Sequence, residues 1–241
     1  MGLLIDRNAV PIGYSIYNLI PGGAPDFKED DIALADWYAA ELARLGVEVH
    51  LNTAADAETV RTGGYDAVIL ATGSRPKRFS LGDDEHVYAA EEVLLGQKDP
   101  GERVVVVGAG LVGCELALDL AMKGKKVTIV EALDKIMAVN GPICSANKEM
   151  LEELLPFHGI GIQCSAKVTG FANGVLTAEV GGAVKEYPAD SVVLCVGYRS
   201  ENSLYQELKY EVDDLYLLGD AAKVSNIMYA VWDAYEVANS L

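Results

Sequence analysis

Three glycines at fixed spacing are the residues of this sequence best suited to bind a ligand. They belong to a G-x-G-x-x-G pattern between a predicted buried strand and a predicted helix, Gly108-Ala109-Gly110-Leu111-Val112-Gly113. The first glycine makes a tight turn, the second lets a pyrophosphate approach the backbone, and the third lets the helix pack closely against the strand. The N-terminus of such a helix offers free N–H donors and a partial positive charge to phosphate groups.

An acidic residue completes the pattern. Glu131 ends the next predicted strand, about 20 residues further on, where a carboxylate accepts hydrogen bonds from ribose hydroxyls and repels a 2′-phosphate. No arginine follows it closely, and the next basic residue is Lys135. The spacing therefore predicts a dinucleotide site that favours NAD(H) over NADP(H). The alternative is that Gly108 and Gly110 only form a turn within an α/β sheet.

The apolar pattern predicts a Rossmann-like βαβ unit around these residues. Continuous apolar runs predict parallel strands at Arg103–Val107 and Lys126–Val130, with a helix at Leu111–Met122 between them. A further helix is predicted at Lys148–Phe157. Runs separated by Asn-Gly and Gly-Gly turns predict a small antiparallel β-meander of three strands, Lys167–Phe171, Val175–Val180 and Val184–Tyr187.

Two outer segments flank this central part. Residues 7–30, rich in proline and glycine, are predicted to be loop. The other predicted elements are helices at Asp31–Leu45 and from about Asn226, and strands at Leu3–Ile5, Val47–Leu51, Asp66–Ala71, Ser191–Val196 and Leu215–Leu218. We therefore expect an α/β fold in which one domain, residues 101–196, is inserted into another, residues 1–100 and 197–241.

Composition disfavours several classes of partner. The formal net charge of −17 argues against nucleic acid and against anionic membrane surfaces. None of the four cysteines has a partner at C-x-x-C spacing, which argues against a metal ribbon, an iron–sulfur cluster and a thioredoxin-like pair. No signal peptide or apolar run of about 20 residues is visible, so we expect a cytoplasmic protein with free thiols and no bound metal.

Four motifs follow one another along the chain: Ala71-Thr72-Gly73-Ser74-Arg75-Pro76, the Gly108–Glu131 unit, Asp190–Gly197, and Leu217-Leu218-Gly219-Asp220-Ala221. In this order they resemble the two-dinucleotide-domain flavoprotein disulfide reductase superfamily. A narrower resemblance lies in Asp26-Phe27-Lys28, Val112-Gly113-Cys114-Glu115 and Gly197-Tyr198-Arg199. These stretches are similar to the C-terminal part of the 2-enoate reductase and 2,4-dienoyl-CoA reductase group, the NADH:flavin oxidoreductases related to old yellow enzyme.

The resemblance implies roles for residues outside the glycine pattern. It places Ala71, Thr72 and Gly73 beside the diphosphate of FAD, and Gly219 and Asp220 at its ribityl and phosphate region. It directs the N-terminus of the last helix at the flavin ring, where the partial positive charge favours the reduced anion. Residues 101–196, with Gly197 at their end, would present the nicotinamide to the flavin. Hydride transfer is then chemistry of the cofactors, and no side chain is nominated as a catalytic acid or base.

The chain departs from the family at its beginning. The first strand and G-x-G-x-x-G of the FAD domain are missing, so the chain is expected to enter at the second strand, with Asp6 in place of the acid that binds the adenosine ribose of FAD. Gly13 would lie in the following loop. Without the missing N–H groups, FAD is expected to bind weakly or not at all. The FMN barrel and the cluster-ligating cysteines of full-length relatives are also absent, and an exposed sheet edge favours self-association.

Two functions of different class are open at this point. In the first, the chain is the module of an NADH-dependent flavin oxidoreductase that passes hydride from NADH to FAD, and a partner FMN-barrel domain reduces an activated C=C bond of 2-enoate or dienoyl-CoA type. In the second, the chain only binds a dinucleotide, without electron transfer. A disulfide reductase is disfavoured, because it needs a closely spaced cysteine pair beside the flavin.

Overall fold

The computed structural model describes residues 2–6, 19–28, 30–138 and 143–241, without the side chains of residues 19 and 20. The chain divides into two compact units. Unit 1 comprises Met1–Ile20, Asp30–Arg75 and Tyr198–Leu241. Unit 2 comprises Pro21–Glu29 and Pro76–Gly197.

The described residues form fourteen strands and eight α-helices. The strands are β1 Leu3–Ile5, β2 Glu48–His50, β3 Val68–Leu70, β4 Ser74–Pro76, β5 Val87–Ala89, β6 Arg103–Val107, β7 Lys126–Val130, β8 Gly161–Gln163, β9 Ala166–Ala172, β10 Val175–Val180, β11 Ala183–Pro188, β12 Ser191–Leu194, β13 Tyr198–Ser200 and β14 Leu215–Leu217. The helices are α1 Leu19–Gly22, α2 Asp30–Arg44, α3 Ala57–Thr62, α4 Ala90–Leu94, α5 Leu111–Met122, α6 Ser145–Phe157, α7 Ser203–Leu208 and α8 Ile227–Ala238.

A five-stranded parallel sheet forms the centre of unit 2. Its strand order is β5-β12-β6-β7-β8, and each neighbouring pair is parallel. The order reverses beside β6, because β7 and β8 follow on one side while β12 and β5 lie on the other. All five carboxyl ends lie at one edge of the sheet. In doubly wound folds, ligands bind at such an edge, where the strand order reverses.

The side chains of β6 alternate between the two faces of this sheet. Val104 and Val106 pack with the buried side chains of α5, such as Leu116. Val105 and Val107 pack with the antiparallel β9–β10–β11 meander, whose core includes Phe171. A strand that is buried on both faces is expected to be apolar at every position, as β6 is at its last four.

Unit 1 contains smaller sheets. β1 pairs with β2 and β3 pairs with β14, both in parallel, and β4 pairs with β13. A small core joins α3, α7 and β14 through Ala57, Val60, Leu208 and Leu215. The helix α8 has no buried residue. Unit 1 therefore buries less apolar surface around its strands than unit 2.

The mixed α/β fold with a parallel Rossmann-like sheet and an antiparallel meander is confirmed. The bounds predicted for β6, α5, β7 and β10 are those observed. The predicted loop at 7–30 is wrong where it is described, because α1 and a 3-10 turn at Asp26–Lys28 lie within it; residues 7–18, including Gly13, lie outside the described residues. No helix in the described part of the chain is both long and apolar enough to cross a bilayer.

The burial of α5 makes a prediction about stability. Leu116 is fully buried in the main core of unit 2, whereas Met122, at the end of the same helix, is half exposed. We expect Leu116→Ala to lower the free energy of unfolding by about 2–5 kcal/mol, because it removes a packed side chain and leaves a cavity. The control, Met122→Ala, should change it by less than about 0.5 kcal/mol. Chemical denaturation measures both, and equal losses would contradict the assigned core.

Candidate functional site

The turn after β6 requires glycine at its first position. Gly108 has φ of +103°, and a Cβ on it would lie 2.4 Å from the carbonyl oxygen of Cys195. Its N–H donates to the carbonyl of Val130 at 2.9 Å, which continues the pairing of β6 with β7. The carbonyl of Val107 in turn accepts from the N–H of Cys195 at 2.7 Å. The turn is therefore held between the strands on both sides of β6.

Gly113 is required by close packing of α5 on this turn. A Cβ on Gly113 would lie 2.0 Å from the carbonyl oxygen of Gly108 and 3.2 Å from the Cβ of Cys195. No side chain larger than hydrogen fits that approach. The helix is thereby set with its first turn directly over the carboxyl ends of β6 and β12.

Gly110 is different, because none of the residues that the structure describes requires it to be glycine. It is the N-cap of α5 with φ of −70° and ψ of −178°, which any residue adopts, and a Cβ on it would meet no atom of those residues within 4 Å. No described side chain caps the helix there. The amides of Leu111, Val112 and Gly113, the first of the helix, lack intrahelical acceptors. The open space beside Gly110 thus faces the kind of donors that bind a phosphate.

Glu131 supports the glycine turn as well as facing it. Its carboxylate accepts hydrogen bonds from the N–H of Ala109 and, at 2.8 Å, from the N–H of Leu133. The residue is only 8% exposed. A carboxylate has about four lone-pair sites, so two remain for other donors such as ribose hydroxyls. The sequence predicted Glu131 as an acceptor for ribose hydroxyls. It did not predict the bond to Ala109, because that bond depends on the path of the backbone through the turn.

A buried ion pair lies at the first turns of α5. The Nζ of Lys28 is 3.1 Å from both carboxylate oxygens of Glu115, and both side chains are largely buried. The sequence singled out these two residues as family features without predicting that they pair. Phe27, next to Lys28, packs on the core around α5. The segment that begins unit 2 is therefore fastened to the helix that carries the glycine pattern.

Cys114, which is buried, and Cys195, which is partly buried, are poor nucleophiles. Burial, and secondarily the charge of Glu115, raises the pKa of the Cys114 thiol to about 12. Burial likewise raises the pKa of Cys195, which follows β12. A thiol reacts as its thiolate, so neither is poised for disulfide exchange at neutral pH.

In unit 1, the predicted residues after β3 are bound to the chain that follows β13. Thr72 donates through its hydroxyl to the carbonyl of Glu201, and the carbonyl of Gly73 accepts from the N–H of Glu201 at 2.9 Å. Gly73 has φ of +71°, a conformation that favours glycine. Ala71 directly precedes this turn. The predicted Ala71–Gly73 motif is thus an ordered turn and not a free loop.

Asp220 is joined to the same turn. Its Oδ2 accepts from the hydroxyl of Ser74 at 2.8 Å, and its Oδ1 accepts from the N–H of Ser225 at 2.9 Å. Gly219 precedes it with φ of +55°. Unit 1 therefore brings the Ala71–Gly73 and Gly219–Asp220 motifs together, through the bond of Ser74 to Asp220 and the parallel pairing of β3 with β14, the strands that precede the two motifs. Asp6 lies elsewhere in the unit, at the end of β1, where its N–H donates to the carbonyl of His50 at 2.8 Å.

The predicted site residues thus form two groups, and Asp6 at the end of β1 belongs to neither. Gly108 to Gly113 and Glu131 lie at the carboxyl edge of the sheet in unit 2, where Gly197, with φ of +88°, follows β12. The other group is the pair of motifs in unit 1. The structure also places Glu91 of α4, which the sequence analysis did not single out, near the carboxyl end of β12.

The chain is similar to known proteins in sequence. Residues 55–234 match the family model of pyridine nucleotide-disulphide oxidoreductases. The chain is 45% identical over 99% of its length to cinnamate reductase of Clostridium sporogenes, and 40% identical over 84% to an NADH oxidase of Thermoanaerobacter brockii. It spans only 35% and 32% of the length of these two relatives.

Solved structures show the same fold. A 2-naphthoyl-CoA reductase complex superposes with a TM-score of 0.87 at 20% identity, covering 100% of this chain and 36% of that one. Histamine dehydrogenase from Rhizobium sp. superposes with a TM-score of 0.78 at 20% identity, covering 99% of this chain and 40% of that one.

The different environments of two glycines predict different effects on stability. Gly113→Ala should lower the free energy of unfolding by about 3 kcal/mol or more, because the new methyl group meets backbone and must displace α5. Gly110→Ala should cost no more than about 1 kcal/mol, the loss expected at an N-cap. Thermal and chemical denaturation of both variants provide the measurement. Equal destabilisation by the two would show that Gly110 is also required by packing.

Proposed function

The chain belongs to the pyridine nucleotide-disulphide oxidoreductase family, and on that premise we propose that it is the NAD(H)- and FAD-binding module of a flavin-dependent oxidoreductase. In this proposal unit 2, which contains residues 101–196, binds NAD(H), and unit 1 binds FAD. NADH supplies a hydride, FAD accepts it, and a partner domain uses the electrons to reduce an activated C=C bond of 2-enoate or dienoyl-CoA type. The partner would carry the FMN barrel and the iron–sulfur cluster.

The single observation that carries the proposal is the open, uncapped N-terminus of α5 at Gly110. Packing among the described residues explains the first and third glycines of the pattern but not the second. A close approach of a ligand to the backbone explains it, and the donors at this position suit a diphosphate. This argues against the alternative that the glycines form only a structural turn.

The position of Glu131 supports NADH as the nucleotide. The carboxylate lies at the end of β7 and is already fixed by two backbone donors, so it cannot turn away from an incoming ribose. A 2′-phosphate placed there would meet a buried negative charge, which is costly. The ribose hydroxyls of NADH are donors that can use the remaining lone pairs.

The FAD half of the proposal rests on unit 1. The turn at Ala71, Thr72 and Gly73 is followed by Ser74, whose hydroxyl donates to Asp220, so backbone groups and a carboxylate lie at one place. Gly219 and Asp220 would hold the ribityl and phosphate region, and Asp6 the adenosine ribose. Each oxygen of Asp220 has one protein donor and keeps a lone pair for a hydroxyl.

The substrate class is proposed from the relatives. The 45% identity is to a protein named cinnamate reductase, and cinnamate is an α,β-unsaturated carboxylate. Because the chain spans about a third of that protein, the residues that would bind such a substrate are sought in the partner domain. No residue of this chain is proposed as an acid or base in that reaction.

A second candidate function is a binding-only dinucleotide module. It is favoured by unit 1, whose strands β1 and β3 each have one partner among the described strands and whose helix α8 is unburied. A flavin site built on such a unit would be weak. The two functions differ in whether bound NADH passes its hydride to a flavin.

Calorimetry with NADH tests the nucleotide site. We expect saturable binding to the wild-type chain and at least a tenfold higher Kd for Gly110→Val, because the side chain would fill the space beside the helix N-terminus. The control Ala146→Val adds a similar volume on an exposed first turn of α6 and should leave Kd unchanged. Unaltered binding by Gly110→Val would remove the central argument for the site.

Replacement of Glu131 tests the choice of nucleotide. Glu131→Ala should lower the ratio of Kd for NADPH to Kd for NADH at least fivefold, because the repulsion of the 2′-phosphate is lost. The variant also loses the bond to Ala109, so both affinities should fall; the ratio isolates the ribose end, since the two nucleotides share the diphosphate. A ratio equal to that of the wild type would show that Glu131 does not read the ribose.

Flavin reduction separates the two candidate functions. With added FAD, the chain should oxidise NADH faster than free FAD does under the same conditions, because both cofactors are held by one protein. Gly110→Val is the control that should return the rate to that of free flavin. NADH binding without any acceleration would support the binding-only module.

A further inference from the structure

Glu91 is a buried carboxyl group without a hydrogen-bond partner in the part of the chain that the structure describes. It lies on α4, is 3% exposed, and neither of its oxygens has a hydrogen-bond partner among the described residues. The neighbouring Arg78 pairs with Glu92 at 2.8 Å instead. Unmade hydrogen bonds in a protein interior cost free energy, and native structures contain few of them. A carboxyl kept in such a place needs an explanation that packing does not provide.

The fold puts this carboxyl beside the nucleotide edge of unit 2. α4 follows β5, whose last residue, Ala89, lies in register with Leu194, the end of β12. The charge of Glu91 contributes to the raised pKa of Cys195, the next residue after β12. The carbonyl oxygen of Cys195 is the atom that a side chain on Gly108 would collide with. Glu91 is therefore part of the same edge, beyond β12.

The order of strands gives each of these residues a place along a bound dinucleotide. Moving along the edge, Glu131 follows β7, the glycine turn follows β6, Cys195 follows β12, and Glu91 follows β5. A dinucleotide lies across the point where the strand order reverses. With the adenosine ribose at Glu131 and the diphosphate at Gly110, the other half of NADH extends toward β12 and β5. This placement rests on the proposed function.

We propose that the carboxyl group of Glu91 binds the carboxamide of the nicotinamide. A carboxamide has one acceptor oxygen and an NH₂ donor, and an uncharged carboxyl has one O–H donor and one acceptor oxygen. The two groups can therefore form a reciprocal pair of hydrogen bonds that satisfies both oxygens of Glu91. The uncharged form is favoured because burial raises the pKa of this carboxyl.

A local movement is part of the proposal. Both oxygens of Glu91 are covered by protein, so a local shift is needed for a nicotinamide to reach them, and we assign that shift to the chain after β12. Gly197 lies in that stretch with φ of +88°, and a Cβ on it would meet no atom of residues 2–6, 19–28, 30–138 or 143–241 within 4 Å. Glycine in open space changes its backbone angles at low cost. Its freedom is consistent with such a shift.

Calorimetry with three ligands tests the proposal without relying on enzyme activity. The ligands are NADH, the reduced analogue in which an acetyl group replaces the carboxamide, and ADP-ribose, which lacks the nicotinamide. The wild-type chain should bind the acetyl analogue at least fivefold more weakly than NADH, because the NH₂ donor is gone. Glu91→Leu should raise Kd for NADH about tenfold, the value expected for two neutral hydrogen bonds. It should leave Kd for ADP-ribose within twofold.

A conservative variant and a matched control separate the role of Glu91 from general effects of substitution. Glu91→Gln keeps a donor and an acceptor and should bind NADH within threefold of the wild type. Glu102→Gln changes an exposed carboxyl at the opposite edge of the sheet and should have no effect. Glu91→Leu should also lose the discrimination between NADH and the acetyl analogue. Thermal denaturation confirms that each variant is folded.

Distinct outcomes overturn this inference and the proposed function. If the wild type binds NADH and the acetyl analogue equally well, the carboxamide is not recognised and the inference fails without any variant. It also fails if Glu91→Leu discriminates between them as the wild type does. If the wild type binds neither NADH nor ADP-ribose, the proposed nucleotide site itself is wrong.

Discussion

The approach of α5 to the turn after β6 is the constraint on which the nucleotide site depends. Backbone touches backbone there: the positions of side chains on Gly108 and Gly113 are occupied by carbonyl oxygens. That contact sets the helix with its free N–H groups over the edge where the strand order reverses. Glu131 then ties the turn to the end of β7. Packing thus positions the partial positive charge of the helix N-terminus. It also positions the carboxylate of Glu131, which is proposed to accept from the ribose.

The strong negative charge of the chain is compatible with binding a dianionic nucleotide because of this arrangement. The donors at the site are backbone amides, whose dipoles are fixed by the helix and do not depend on surface lysines. Lys28, which lies at the first turns of α5, is paired with Glu115. A charge of −17 therefore argues against binding of nucleic acid. It does not prevent a dinucleotide from binding at a small site of oriented backbone amides.

The sequence predicted elements whose signal is local and missed those whose existence depends on distant partners. β6, α5 and β7 were predicted to the residue because each combines an apolar run with glycine punctuation. β5 and α4 were missed, since they have three and five residues and the N-cap, Ala89, has no capping side chain. Pairing of β5 with β12 joins residues about a hundred positions apart, and this also places residues 76–100 in unit 2. The bonds of Glu131 to Ala109 and of Lys28 to Glu115 are equally non-local.

Unit 1 has fewer strands than unit 2, and its motif residues are held in place in a different way. Its motif residues are ordered by side-chain hydrogen bonds, such as that of Ser74 to Asp220, where unit 2 uses backbone packing. Side-chain bonds of this kind contribute about 1 kcal/mol each, whereas the buried strands of unit 2 gain from every apolar side chain they cover. The apolar side chains of α8 are exposed, so they add little free energy of folding to unit 1. A flavin bound there would supply contacts that the protein lacks, so the FAD half of the proposed function should depend on its cofactor for stability far more than the NAD(H) half does.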